Sequence, residues 1–263
     1  MQGRVLIIAG SDSGGGAGIQ ADIKTVTVLG GYAATAITAI TVQNTLGVTG
    51  VHPIPLDIVL AQGRAVLSDI GADAIKTGML GSVEMVEAAA ALIDEGGVPA
   101  IIDPVMIAKG GTALLDEAAV ATIRNLLIPR AALITPNAPE AEALTGIACH
   151  TTDDLRRAGE ALLKLGCAAA LMKGGHIPGA RVVDILVTPH GEMTLEGPRI
   201  ETRHTHGTGC TLASACAAGI ALGLPLDEAV TEAWAYVAEA IRLAPGLGAG
   251  HGPIDHGWPL QRH

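Results

Sequence analysis

Short apolar runs that alternate with helical stretches constrain this chain more than any other feature of its sequence. Strand-like segments such as residues 4–9 (RVLIIA) and 35–41 (TAITAIT) are separated by helical stretches such as residues 18–29. The strand-like runs are apolar on both faces, as parallel strands are when helices cover both sides of a sheet. The alternation therefore predicts a three-layer α/β/α fold with a mostly parallel central sheet.

The same pattern continues to the end of the chain. Further strands are predicted over residues 48–51, 74–77, 100–103, 133–135 and 168–173, and helices over 55–67, 82–94, 116–127, 139–144, 152–165, 208–222 and 226–243. Residues 182–188 and 192–195 flank a His190-Gly191 turn and predict one small β-hairpin. Ser82 is expected to cap its helix. The segment from Pro245 is expected to lie irregularly on the surface. No linker divides the chain, so a single domain over residues 1–263 is predicted.

The charge balance limits the partners that this protein can have. Sixteen basic residues face 26 acidic ones, which gives a net charge of −10 without any basic cluster. Nucleic acids and anionic membranes both favour a basic face, so neither is expected as a partner. The apolar runs are too short to span a bilayer, and no signal-peptide pattern opens the chain. Four cysteines without CxxC spacing favour the reducing cytoplasm.

The first motif, GSDSGGGAGIQAD over residues 10–22, lies between a predicted strand and a predicted helix. A dinucleotide-binding fingerprint would need an acidic residue about 20 positions further on, but the next acid after Asp22 is Asp57. A P-loop would need a lysine that this segment lacks. Two interpretations remain open: a tight strand-to-helix turn, or a close backbone approach to a ligand with Asp12 or Asp22 as carboxylates.

Isolated polar residues follow several of the predicted strands. Gln43 offers a paired amide donor and acceptor to a heteroaromatic ring, or else forms part of a turn. Asp103, Asn137 and Glu140 suit Mg²⁺, which takes one or two carboxylates together with phosphate oxygens. Asn137 also fits the cap of a helix. Lys173 is a candidate partner for nucleotide phosphates, with a solvated lysine at a strand end as the alternative.

The most specific motif is HGTGCT over residues 206–211, at the start of a helix of small residues. A glycine-rich helix N-terminus presents free N–H groups and a positive dipole to an anion, as phosphoryl transfer requires. Cys210 at this position is expected to have a lowered pKa, or else to be a small buried hydrophobe. Zinc bound by His204, His206 and Cys210 would lack a fourth ligand and is disfavoured. The remaining cysteines, Cys149, Cys167 and Cys216, are expected in the core.

Seven segments in this order resemble the ribokinase-like superfamily and, most closely, the bifunctional hydroxymethylpyrimidine/phosphomethylpyrimidine kinases of thiamine biosynthesis. They are AGSDSGGGAGIQADIKT, AITAITVQNT, IKTGML, IDPVM, ITPNAPEAEALTG, LMKGGH and THGTGCTLASA. The resemblance implies a ribokinase-like fold, ATP as co-substrate, Mg²⁺ as cofactor and a homodimer. It also implies phosphorylation of 4-amino-5-hydroxymethyl-2-methylpyrimidine and then of its monophosphate. The alternatives are a pyridoxal kinase of the same superfamily and a non-catalytic pyrimidine-binding protein.

The resemblance also implies roles for individual residues. The pyrimidine is expected to lie against Gly10, Ala17, Asp22, Val42, Gln43, Met79 and Val105, with Gln43 and Asp22 contacting its polar edge. Residues Gly207, Thr208, Gly209 and Cys210 are expected to form the anion hole. Asp103 and Glu140 would organise Mg²⁺, and Lys173, Asn137 and Thr208 would face the nucleotide. The wider superfamily has an aspartate as base where this chain has Cys210, and the pyrimidine kinases commonly have cysteine there.

Overall fold

The computed structural model describes residues 3–106 and 117–261, and its described part is built on a nine-stranded sheet. The strands are β1 Arg4–Asp12, β2 Tyr32–Asn44, β3 Gly47–Pro53, β4 Ala74–Thr77, β5 Ala100–Ile102, β6 Ala131–Ile134, β7 Ala170–Met172, β8 Arg181–Thr188 and β9 Gly191–Pro198. Their order across the sheet is β3-β2-β1-β4-β5-β6-β7-β8-β9. Strands β2, β1, β4, β5, β6 and β7 are parallel, and β3, β8 and β9 run antiparallel to their neighbours. The predicted, mostly parallel sheet is confirmed.

Helices cover both faces of this sheet. They are α1 Gly18–Val28, α2 Leu56–Asp69, α3 Val83–Gly96, α4 Glu117–Thr122, α5 Ala138–Thr145, α6 Thr152–Lys164, α7 Thr208–Ala221 and α8 Leu226–Arg242. Ser82 caps α3 as predicted, because its hydroxyl accepts the N–H of Met85. Helix α4 continues as a π-helical turn over Ile123–Leu127, and residue 116 of the predicted helix lies outside the described residues. No helix in the described ranges is long and apolar enough to cross a membrane.

Two apolar cores separate the three layers. Alternate residues of a strand point to opposite faces, so Leu6 and Ile8 of β1 join one core while Val5 and Ile7 join the other. The first core packs the strands of the sheet against helices α2, α3, α5 and α6. The second packs them against α1, α7 and α8. Small residues fill this second core, as expected for a chain without phenylalanine.

A second hairpin joins β2 to β3, where the sequence predicted only the hairpin at His190. That predicted hairpin is confirmed as β8–β9. In the other, Gln43 pairs with Val48 and Asn44 with Gly47 around a two-residue turn. The prediction ended the strand too early because polar Gln43 and Asn44 resembled loop residues. They extend β2 to 13 residues instead.

The segment that follows α8 does not simply lie on the surface, as the sequence predicted. Ile254 and His256 are 2% and 4% exposed. The ring of Trp258 stacks on Tyr236 of α8, with ring centroids 6.0 Å apart. The Gly- and Pro-rich composition correctly predicted an irregular backbone, but it carried no information about which side chains the irregular segment buries.

Candidate active site

A cavity of about 1180 Å³ lies beyond the carboxyl ends of the parallel strands, where open α/β sheets bind their ligands. Strands β1, β4, β5, β6 and β7 all end at it, so their following residues form its wall. The cavity brings together most of the residues predicted from the sequence, namely Gly10, Ala17, Gln43, Met79, Asp103, Val105, Asn137, Glu140, Lys173, Gly207, Thr208, Gly209 and Cys210. Two of the predicted residues, Asp22 and Val42, do not line it.

Asp22 is fully buried beneath the cavity and is not available to a substrate. Both of its carboxylate oxygens lie 2.9 Å from Nζ of Lys76, and one also accepts the hydroxyl of Ser214 at 2.7 Å. The placement of Asp22 against the pyrimidine was therefore wrong, because these partners occupy the carboxylate. Burial acts to lower the pKa of Lys76, but the charge of Asp22 outweighs it and raises that pKa above its ordinary value. The lysine is thus held charged inside the protein.

Val42 points away from the cavity because side chains alternate along β2. Gln43 lines the cavity, so its neighbour Val42 must face the other side of the sheet. There Val42 is 62% exposed. The expected contact between Val42 and the pyrimidine was wrong for this geometric reason.

Asp12 lies at the wall of the cavity and fixes the glycine-rich loop. Its carboxylate accepts the N–H groups of Gly14 and Ala17, both at 2.8 Å, and Nε2 of His206 lies 2.8 Å from Oδ2. Burial alone would raise the pKa of Asp12, but the bond to His206 and the backbone N–H groups outweigh it and hold the pKa below its ordinary value. Nε2 of Gln43 lies 3.3 Å from the same imidazole nitrogen. The loop, the end of β2 and the HGTGCT motif are therefore held together at one point.

The start of helix α7 has the geometry of an anion hole. Gly207 precedes the helix in the left-handed conformation with φ +84°, and a Cβ there would overlap the carbonyl oxygen of Gly16, so only glycine fits. The N–H groups of Gly209 and Cys210 have no carbonyl partner within the helix. They lie at the positive end of its dipole. A Cβ on Gly209 would stand 3.3 Å from Nζ of Lys173, so a cation adjoins the hole.

Lys173 lies between two carboxylates at the floor of the cavity. Its Nζ is 3.3 Å from Oδ1 of Asp103 and 3.8 Å from Oε2 of Glu140. Burial raises the pKa of Glu140 to about 7, against the effect of Lys173. Asn137 caps α5 through a reciprocal pair of bonds with Glu140. The helix-cap interpretation of Asn137 is therefore confirmed, and its side-chain oxygen is occupied by that role.

The carboxylates fit a magnesium ion better than a zinc ion. Oδ2 of Asp103 is buried without a hydrogen-bond partner among the described residues, as expected of an oxygen that awaits a cation or a water. Mg²⁺ needs only one or two carboxylates when phosphate oxygens complete its shell. Within the described ranges no three His, Cys, Asp or Glu side chains converge as a metal site.

The thiol of Cys210 does not have the lowered pKa that its helix position suggested. Burial raises the pKa of Cys210 to about 12, and the nearby charge of Lys76 opposes this only in part. The expectation of a ready thiolate was wrong because desolvation outweighs the helix dipole. The other three cysteines, Cys149, Cys167 and Cys216, are buried and unpaired, as predicted.

Lys76 and Ser214 are the residues of this region that the sequence analysis missed. A signal for Lys76 existed, since a lysine within the short apolar strand AIKT must find a buried acid. Ser214 carried no comparable signal, because a serine in a helix of small residues needs no polar partner to be explained.

The parallel sheet, the cavity at its carboxyl edge and the anion hole define a ribokinase-like phosphotransferase. The pyridoxal kinase from Staphylococcus aureus, solved in complex with AMP-PCP and pyridoxal, is similar with a TM-score of 0.93 and 33% identity. The similarity covers 100% of this chain and 96% of that one. A phosphomethylpyrimidine kinase from Clostridium difficile 630 is 44% identical with a TM-score of 0.81, covering 90% and 99%.

Sequence comparison narrows this class to one family. The family model for phosphomethylpyrimidine kinase matches residues 12–255. Hydroxymethylpyrimidine/phosphomethylpyrimidine kinases from Streptomyces coelicolor and Bacillus subtilis are each 50% identical to this chain, over 256 and 255 residues. These matches cover 97% and 96% of this chain, and 95% and 94% of theirs. The chain belongs to the phosphomethylpyrimidine kinase family and is a kinase.

Proposed function

We propose that this kinase transfers the γ-phosphoryl group of ATP to 4-amino-5-hydroxymethyl-2-methylpyrimidine and then to the resulting monophosphate, giving the diphosphate used in thiamine biosynthesis. The observation that carries the proposal is one continuous cavity with a side-chain amide at one wall and a glycine-built anion hole at another. The names of the relatives with 50% identity support the same substrates.

The pyrimidine occupies the part of the cavity next to Gln43. Its amide supplies one donor and one acceptor to the polar edge of the ring. Gly10, Ala17, Met79 and Val105 supply small or apolar surface for the ring faces. A Cβ on Gly10 would stand 2.6 Å from the terminal methyl of Met79. A larger residue at position 10 would therefore push Met79 into the ring site.

Phosphoryl transfer takes place at the start of α7. The N–H groups of Gly209 and Cys210 hold the charge of the migrating group, and Lys173 and Thr208 hold the nucleotide phosphates. As the new O–P bond forms and the bond to the ADP oxygen breaks, the hydroxyl proton passes to the thiolate form of Cys210, which becomes the neutral thiol. Because burial keeps this thiol protonated near pH 7, a base role requires the small thiolate fraction, and the rate should rise with pH.

Mg²⁺ fits Asp103 and Glu140, and when bound it neutralises the charge of the phosphate oxygens. Lys173 contacts the same two carboxylates and helps to hold them in place. Oδ2 of Asp103, which has no partner among the described residues, is the oxygen that this cation would use.

The proposal includes a cytoplasmic homodimer. Ile40 and Val42 lie two positions apart on β2, Leu56 and Ile58 lie at the start of α2, and these four apolar side chains are 38–62% exposed. Exposed apolar surface of this kind marks protein–protein contacts. Light scattering behind a sizing column tests the dimer. A monomeric mass at micromolar concentration would count against it.

One ATP-coupled assay tests the substrate assignment, with hydroxymethylpyrimidine, its monophosphate and pyridoxal as parallel substrates and mass spectrometry of the products. We expect both pyrimidine phosphates to form. Exclusive formation of pyridoxal phosphate would overturn the assignment in favour of a pyridoxal kinase. That alternative is supported by the TM-score of 0.93 to a pyridoxal-bound structure. If none of the three substrates causes ATP consumption, the result would favour the alternative of a non-catalytic pyrimidine-binding protein.

A further inference from the structure

The segment between α8 and Trp258 passes over the start of α7 and connects it to the turn between β2 and β3. The N–H of His206 donates to the carbonyl of Gly252 at 3.1 Å. The N–H of His251 donates to the carbonyl of Thr45 at 2.8 Å. His206 belongs to the anion-hole motif, and Thr45 follows the strand that carries Gln43. One irregular segment thus holds both walls of the cavity.

His256 reaches the anion hole from inside the protein. Its Nε2 lies 3.0 Å from Oγ1 of Thr211, whose own hydroxyl donates to the carbonyl of Gly207 at 2.8 Å. Because that hydroxyl proton is already committed, this network assigns the imidazole proton to Nε2, which donates to Thr211. On its other side, His256 is anchored by the hydroxyl of Tyr236, which donates to the His256 carbonyl at 2.7 Å.

The Gly207 carbonyl is the acceptor that closes the first turn of α7. It receives the N–H of Thr211 at 2.9 Å as well as the Thr211 hydroxyl. The turn that it closes carries the free N–H groups of Gly209 and Cys210. Two bonds on a single carbonyl therefore orient the hole.

The imidazole of His256 is suited to this contact near neutral pH. Burial lowers its pKa to about 4, with Lys24 and His206 acting in the same direction and Asp255 opposing them. The ring stays neutral and places no charge beside a site that must bind phosphates.

We infer that His256 is a positioning residue for phosphoryl transfer, which acts through Thr211 on Gly207 and so sets the direction of the anion-hole N–H groups. The inference rests on the proposed function for its kinetic consequence, whereas its structural consequence is independent of any substrate. The segment over residues 251–256 therefore supports the active site through its contacts with α7, although none of its side chains needs to touch the substrate.

The test combines hydrogen exchange of the unliganded full chain with steady-state kinetics on hydroxymethylpyrimidine. We expect His256→Leu to speed exchange of the Thr211 amide about tenfold and to lower kcat by a similar factor, roughly the value of one hydrogen bond, with KM within twofold. His256→Gln, which keeps an N–H donor, should retain most of the protection of the Thr211 amide and most of the wild-type kcat. In a protein that already carries Thr211→Val, the further change His256→Leu should lower kcat little more.

His190→Leu is the matched control, since this histidine has an exposed side chain in the turn between β8 and β9 and does not line the cavity. It should change neither exchange at Thr211 nor kcat. Wild-type exchange in folded His256→Leu would overturn the inference, and so would additive kinetic effects of the His256 and Thr211 substitutions. If the wild-type enzyme proves inactive on the pyrimidine, the proposed function fails, and the exchange result alone decides the role of His256.

Discussion

Lys76→Met provides the sharpest test of the buried charge pair beneath the site. Lys76 and Asp22 are both 0% exposed, and Lys76 is the cation that neutralises the carboxylate through two contacts of 2.9 Å. Among the described residues, the removal of Lys76 leaves Asp22 with the Ser214 hydroxyl as its remaining side-chain donor. Loss of one partner of a buried ion pair costs about 3–5 kcal/mol. For a chain of this length, that cost lowers Tm by roughly 10 °C.

The assay is urea-induced unfolding at pH 7 and again at pH 5. Burial raises the pKa of Asp22 even though the charge of Lys76 acts to lower it. Loss of Lys76 removes that opposing charge, so the folded variant prefers the neutral acid and its loss of stability should shrink as the pH falls. Lys76→Met combined with Asp22→Leu should recover most of the loss, because no charge remains buried. Arg64→Met, which breaks an exposed pair with Glu95, is the control and should cost under about 1 kcal/mol. A similarly small cost for Lys76→Met would refute the argument.

Three further outcomes are expected. Cys210→Ala should lower kcat by about 10²-fold in a folded protein, whereas Cys216→Ala, further along α7, should leave kcat unchanged. A near-normal kcat in Cys210→Ala would mean that the backbone N–H groups and the cations carry the catalysis without a base at Cys210. Gln43→Leu should raise KM for the pyrimidine about tenfold without changing KM for ATP, because a polar atom of the ring that loses its hydrogen bond costs roughly 1–3 kcal/mol. An unchanged KM for the pyrimidine would favour the alternative that Gln43 only forms part of a turn. The pKa of His256 is about 4 in the folded protein and 6.5 in the unfolded chain. Because the unfolded chain binds more protons between these two pH values, the free energy of unfolding should fall by about 3 kcal/mol as the pH drops from 6.5 to 4. If Tm depends on pH in His256→Gln as it does in the wild type, this reasoning is contradicted.

The secondary structure was largely predictable because each element carries its own periodicity. β4 has the predicted bounds, and the predicted Ser82 cap is present. The polar ends of the strands also predicted where a site would form, since parallel strands end at one edge. What could be predicted depended on residues close to one another in the sequence.

The errors came from contacts between distant residues. Asp22 is separated from Lys76 by 54 positions and from Ser214 by 192, so its enclosure could not be foreseen from its own motif. The raised pKa of Cys210 has the same origin, because the burial that causes it depends on the packing of several segments around the thiol. Val42 is a different case, since strand alternation alone was enough to separate it from Gln43.

The core that joins β1, α1 and α7 has a consequence for how the chain is made. Val5, Ile7 and Val26 belong to the same apolar cluster as Leu212 and Cys216. A ribosome adds about 5–20 residues per second, so roughly 10–40 s separate the synthesis of α1 from that of α7. During that interval the nascent first half exposes an apolar face that its own later helix must cover. Chaperone dependence during synthesis should therefore follow the translation rate between these two helices.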